Sequence, residues 1–242
     1  NYKLEPAYLD TFMSKDLSEA NLKSVQAIGA LGFVGPFDSE VAKAYSEASK
    51  KEANPKPIVS YAATATSLNS SELYPNFLRT AQHDGLQAVA VALLIQQQGW
   101  NRIGVIYTQD EFGTGIYKSF INNVKTLDIS IENEEKYRGI PFGTSKFLKK
   151  KSKEGVEAAL SEIVRKQLKV VVYLGGDLVG TEVAKVAYKK ELYGEEYSWI
   201  GGMWLTSELS KYQTLQGAVG LGFRPALGEK GKAFADNYKL EF

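Results

Sequence analysis

Three short apolar runs, Leu31–Val34, Ile58–Ser60 and Ile103–Tyr107, each end in a small polar loop, and helical periodicity follows each of them. Parallel strands cannot be joined by a tight turn, so a chain that repeats strand, loop and helix must lay its helices on the faces of a largely parallel sheet, with right-handed crossovers. The loops then emerge at the carboxyl ends of the strands, the edge at which open α/β sheets bind ligands. The repeat therefore points to an α/β fold with a ligand cleft, and more strongly to binding than to catalysis.

The rest of the chain extends the pattern. Tyr2–Thr11 alternates loosely and predicts a strand, Leu17–Gln26 a helix, and Ile28–Gly35 a buried strand. Asp38 and Ser39 are good N-cap residues ahead of an amphipathic helix over Val41–Ala53, which Pro55 and Pro57 end. Gly85–Gly99 predicts a helix with Leu86, Val89, Ala90, Leu93 and Leu94 along one face. Helices are expected over Gly113–Val124, Glu154–Gln167, Thr181–Leu192 and Gly231–Phe242. Strands are expected over Leu127–Tyr137, Lys169–Gly176, Tyr197–Gly202 and Ala218–Pro225, and the apolar run KVVVYLGG is the clearest parallel-sheet strand. The units predict two sheets that change over near Thr108–Tyr137. The expected division is a first lobe over residues 1–110, a second over 111–218, and a crossover back toward the first over 219–242.

Composition narrows the function. A chain of 242 residues buries enough surface for two lobes, and a net charge of +1 gives no general attraction to nucleic acid or to an anionic membrane. There is no cysteine, which excludes disulfides, thiol nucleophiles and cysteine metal sites. His83 is the only histidine, so no metal site and no acid/base pair is expected to form around it. Gly29, Gly32 and Gly35 have the wrong spacing for a dinucleotide loop, and neither a P-loop nor G-x-S-x-G occurs, so no cofactor and no catalytic residue is expected. A flavodoxin-like enzyme lacks any nucleophile–base constellation here. The run Lys146, Lys149, Lys150, Lys151 and Lys153, beside Gly143, Thr144 and Ser145, reads as a solvated loop or helix entrance. No apolar run approaches the ~20 residues that span a bilayer, and no signal peptide is present. The chain itself reads as soluble, compatible with a part of a secreted or membrane-anchored parent. Asn69-Ser70-Ser71 is a glycosylation sequon, meaningful in a parent secreted by the eukaryotic route.

Several motifs in order carry a resemblance: Phe33-Val34-Gly35-Pro36, Ser60–Thr64 after a proline-led strand, the segment YPNFLRT over Tyr74–Thr80, and a helix ending in Gly99-Trp100. Further on stand VVVYLGG, YSWIGGMW over Tyr197–Trp204 and LQGAVGLGFRP over Leu215–Pro225. With these the chain resembles the ligand-binding regions of natriuretic-peptide, metabotropic glutamate and GABA-B receptors, within the type I periplasmic-binding-protein superfamily. It is also similar to bacterial branched-chain amino-acid-binding proteins. The resemblance covers nearly the whole chain and implies truncation, because the family's first strand and helix and its last segments have no counterpart. It implies a two-lobed clamshell of mostly parallel, doubly wound sheets with helices on both faces, closing on a small, amino-acid-like ligand. The parent would be a membrane-anchored receptor facing outward and signalling by hinge closure, with possible homodimers through the first lobe. The alternative is a free solute-binding protein that delivers amino acids to an ABC transporter.

By motif position, Ser39 and Thr64 match hydroxyls that hold a ligand carboxylate in amino-acid-binding members, with Ala62 and Ala63 offering backbone groups. Helix N-termini suit such an anion. Ser39 and Thr64 could equally cap a helix and a turn. Asp84 aligns with the acidic residue that pairs with the ligand's ammonium, although it also starts a helix, where an aspartate is a favoured cap. Phe112 stands where the family has a tyrosine that covers the ligand, keeping the ring and losing the hydroxyl. In the second lobe Gly175, Gly176 and Asp177 follow a strand end and should face the cleft. The acidic residue of glutamate-type receptors is missing, since Gly201, Gly202 and Met203 stand there, which argues against glutamate as the ligand.

Overall fold

The computed structural model describes residues 3, 5–12, 14–126, 137–142, 149–202, 217–222 and 228–241. Its first unit runs from a 3-10 turn at Lys15–Leu17 through α1 (Ser18–Ala27), β1 (Phe33–Val34), α2 (Ser39–Lys50) and β2 (Ile58–Ser60) to a 3-10 turn at Thr66–Asn69 and β3 (Phe77–Arg79). The three strands pair in parallel in the order β1-β2-β3, with Phe33 beside Ile58 and Ile58 beside Phe77. Because side chains alternate across a strand, these three share one face, where Ile58 and Phe77 are buried with Leu22 of α1 and Val41, Ala42 and Tyr45 of α2. Asp38 caps α2, its Oδ1 accepting from the backbone N–H groups of Glu40 at 2.9 Å and Val41 at 3.1 Å.

The second unit comprises α3 (Asp84–Gln97), β4 (Ile103–Thr108), α4 (Glu111–Thr126), β5 (Tyr137–Phe142), α5 (Lys149–Arg165), β6 (Val170–Leu174), α6 (Asp177–Lys189), β7 (Ser198–Gly201) and β8 (Val219–Gly220), followed by α7 (Gly228–Glu241). Its sheet is parallel throughout, in the order β5-β4-β6-β7-β8. Helices cover both faces. On one, Val170, Val172, Ile103 and Val105 pack against Ala88, Val91 and Ile95 of α3 and Ile116 and Phe120 of α4. On the other, Val171, Tyr173 and Ile106 pack against Leu160 and Ile163 of α5 and Val183 and Ala187 of α6. Burial on both faces is why β6 is apolar at every position. Two parallel sheets flanked by helices form the type I periplasmic-binding-protein architecture that the resemblance implies.

Four expectations change. The sheets do not change over near Thr108–Tyr137: β4 pairs with β5 and β6, so the change lies between Arg79 and Ile103, and α3 packs on the second sheet although it falls in the range 1–110. Periodicity within a segment marks it as strand or helix but carries no information on which sheet it joins. The described residues of Tyr2–Thr11 form no strand. Of Ile28–Gly35 only Phe33–Val34 is strand, and Leu31 and Val34 are 82% and 88% exposed. On α3 the buried face is Ala88, Val91, Ala92 and Ile95, while Leu86 and Leu93 stay 48% and 45% exposed. The small residues let α3 lie close to α4 and the sheet.

Residues 127–136 of the expected strand Leu127–Tyr137 lie outside the described residues, and β5 begins at Tyr137. Of the basic run, Lys146 and its neighbours 143–145 also lie outside them, and α5 begins at Lys149. Met203 and residues 223–225 of the last expected strand lie outside them too. No helix among the described residues is long and apolar enough to cross a membrane.

Candidate functional site

The site grows from the loop that follows β2. Ser60 ends an apolar strand, and its hydroxyl donates to the Pro36 carbonyl at 2.7 Å while accepting from the N–H groups of Ala62 at 3.2 Å and Ala63 at 2.8 Å. The amides of Ala62 and Ala63 are therefore engaged inside the loop rather than turned outward as a pair of free donors. Ser39, the first residue of α2, is buried, and its Oγ accepts from the Ala65 N–H at 3.2 Å. Capping of α2 falls to Asp38, so Ser39 instead ties the start of the helix to the loop.

Arg79 closes the loop from the other side. Its guanidinium donates to the carbonyls of Ala63 at 3.2 Å and Ala65 at 2.9 Å, and to Asn69 Oδ1. In the sequence Arg79 stands only within the YPNFLRT motif. The signal that singles it out is a lone cation ending an otherwise apolar strand, β3.

Asp84 sits beside this loop with 2% of its surface exposed. His83 occupies the N-cap of α3, which has no side-chain cap hydrogen bond. The Asp84 N–H donates to the Thr64 carbonyl at 3.0 Å, and Oδ2 is buried without a hydrogen-bond partner. Burial pushes its carboxyl up to about 7; a hydrogen bond from the Thr64 side chain and the charge of Arg79 pull the other way and do not offset it. Burial likewise lowers Arg79, against the pull of Asp84. Burial thus pushes both groups toward their neutral forms, and their mutual attraction offsets it only in part.

The remaining expected residues lie at the carboxyl edge of the second sheet. Phe112 is in the first turn of α4, half-buried, just beyond β4. Gly176 is exposed beyond β6, its carbonyl accepting from Tyr173 Oη at 2.9 Å, and Asp177 begins α6. Asp110, which the sequence reading missed, holds the start of α4: its Oδ1 accepts from the Gly113 N–H at 2.7 Å and Thr108 Oγ1 at 2.9 Å. Gly113 approaches the backbone so closely that a Cβ there would lie 2.3 Å from the Thr108 carbonyl oxygen. Gly113→Ala is therefore expected to destabilise the fold by about 1–3 kcal/mol, read as a lower urea midpoint, since a backbone atom cannot step aside as a side chain can.

Ser39, the loop 62–64 and Asp84 are thus brought together, and Phe112, Gly176 and Asp177 lie at the carboxyl edge of the second sheet. The two groups meet through Lys43 Nζ of α2, 3.9 Å from Glu111 Oε1 of α4, and through Thr66, which adjoins Gly85 and Gly115. A cleft of about 310 Å³ opens between the Thr66–Asn69 turn and α4, lined by Thr66, Ser67, Glu111, Thr114, Lys118 and Asn122; Ser39, the loop 62–64, Asp84 and Phe112 are not part of its lining. Among the described residues no group of three or more metal-ligating side chains occurs.

Comparison with known proteins finds receptors among the relatives of this chain. The chain is 27% identical over 195 residues to taste receptor type 1 member 3 of Canis lupus familiaris, covering 79% of this chain and 21% of that protein. It is 26% identical over 225 residues to glutamate receptor 3.7 of Arabidopsis thaliana, covering 87% and 22%. With metabotropic glutamate receptor-like protein E of Dictyostelium discoideum it shares 27% identity over 157 residues, covering 60% and 17%. The chain thus spans about a fifth of the length of these curated relatives. The sequence profile of the receptor family ligand binding region matches residues 1–237, so the chain belongs to that family and is a non-enzymatic ligand-binding region.

Proposed function

We propose that this chain is the outward-facing ligand-binding region of a membrane-anchored receptor, and that it captures a small, amino-acid-like ligand between two lobes and signals by hinge closure. The first lobe is the three-stranded unit and the second the five-stranded unit. Their border falls near Arg79–Asp84 rather than at residue 110; Val219 and Gly220 pair with β7 of the second unit, so the return toward the first lobe falls after Gly220 rather than at residue 219. Asp84 carries the reading. A buried carboxyl whose Oδ2 has no partner costs stability unless a cation completes it, and an α-ammonium in a poorly hydrated cleft is such a cation. Ser39 supplies a hydroxyl for the carboxylate end, Thr64 holds Asp84 through its hydroxyl, Phe112 offers a ring to cover the ligand, and Gly176 and Asp177 form the opposing edge. The names of the relatives, two of which include glutamate, support an amino-acid-like ligand.

A thermal-shift screen against the common amino acids and small carboxylates tests this reading. At a hundredfold excess over the dissociation constant a true ligand adds about 2.7 kcal/mol, so selective rises in melting temperature are expected for amino acids. A flat response across all of them would contradict the reading. Pairing of two copies through the first lobe belongs to the same proposal. Sedimentation of the chain is expected to show a concentration-dependent dimer, and a monomer at every concentration would refute that part.

A further inference from the structure

We infer that Asn69, the exposed last residue of the Thr66–Asn69 turn, is an N-glycosylation site in the parent protein. The inference rests on the proposed outward-facing reading, because the modification requires the secretory route. Asn69-Ser70-Ser71 is the one Asn-x-Ser/Thr sequence in the chain. Asn69 is the last residue of the 3-10 turn Thr66–Asn69 and is exposed, with Ser71 and Glu72 exposed behind it. Its amide is also oriented. Arg79 can only donate, so the oxygen of the Asn69 amide faces the guanidinium and Nδ2 lies on the other side of Cγ. Glycosylation leaves the amide oxygen in place, so the attached sugar keeps the hydrogen bond that anchors the loop.

The co-reactant is a polyprenyl-pyrophosphate-linked oligosaccharide. The Asn69 Nδ2 forms a bond to the anomeric carbon, the bond from that carbon to the pyrophosphate oxygen breaks, the amide gives up one proton, and the polyprenyl pyrophosphate leaves. No oxidant or reductant is involved. Thr66 and Ser67 of the same 3-10 turn line the cleft, so the glycan would be attached two residues from that lining.

The test is glycopeptide mass spectrometry on the full-length parent from its own cells, with and without enzymatic removal of N-glycans in heavy-oxygen water. The isotope mark is expected at Asn69. In eukaryotic cells secreting the parent, S71A is expected to lose one glycan's worth of mobility shift while keeping the Asn69–Arg79 contact, and N69Q to lose the same shift. A parent glycosylated elsewhere but bare at Asn69 overturns this inference and leaves the outward-facing reading intact. A parent with no N-glycan that fractionates with the cytoplasm overturns both.

Discussion

Between about pH 4 and pH 7 the folded chain will lose about 4 kcal/mol of stability that a D84N variant does not lose. The folded Asp84 carboxyl titrates at about 7, chiefly because it is buried, whereas an unfolded aspartate titrates near 3.9. In that window the folded state holds a proton that the unfolded state has released. Stability therefore falls as pH rises, and the loss is complete above about 7. At 1.36 kcal/mol per unit the shift amounts to about 4 kcal/mol. Other carboxylates contribute their own slopes, so the informative quantity is the difference between the two proteins. Urea midpoints across this range should show D84N near the wild type at pH 4 and well above it at pH 8. Parallel curves would show that Asp84 does not carry the buried charge. A further consequence concerns binding: an ammonium ligand needs the carboxylate, so below pH 7 its affinity should fall about tenfold per unit as a proton must be released for each ligand bound.

R79A should be the more damaging substitution at neutral pH, costing about 3–5 kcal/mol. It strips the donor from the carbonyls of Ala63 and Ala65 and from Asn69 Oδ1 at once, and it removes a cation whose charge favours ionised Asp84. A buried acceptor left without its partner loses about 1–3 kcal/mol. R79K should recover only part of this, because an ammonium cannot reproduce the planar fork that spans several oxygens. Loss of the loop's anchor should also weaken ligand binding even at temperatures where R79A remains folded. Chemical unfolding of the three proteins measures the first effect, and an unchanged R79A midpoint would remove Arg79 from its anchoring role.

The parts of the fold that were legible in the sequence are those whose burial repeats along the chain. β6 reads as a strand because Val170, Val172 and Val171, Tyr173 are buried on opposite faces. α2 reads as a helix because Asp38 caps it. α3 shows where this fails. Leu86, Val89, Ala90 and Leu93 compete with Ala88, Val91, Ala92 and Ile95 as an apolar stripe, and only the close approach of α4 and β4 selects the second set. Sheet membership of β4 was illegible for the same reason, since pairing is a matter of long-range contact. In the candidate site, the residues named from motif position lie on one loop and at the starts of four helices, α2, α3, α4 and α6. The hydrogen bonds that organise them were not visible. Ser60 reaches back to Pro36, and Arg79 reaches back to Ala63, Ala65 and Asn69, across separations of 10 to 24 residues that no local pattern records.

Isothermal titration of the chain at about pH 8 with α-amino acids, each beside its des-amino analogue carrying the same carboxylate and side chain, tests the central claim most directly. If an ammonium completes Asp84, one or more amino acids will bind, their des-amino partners will not, and D84N will lose the distinction. Equal heats from both members of every pair would contradict the account, and so would D84N binding the amino acid as tightly as the wild type.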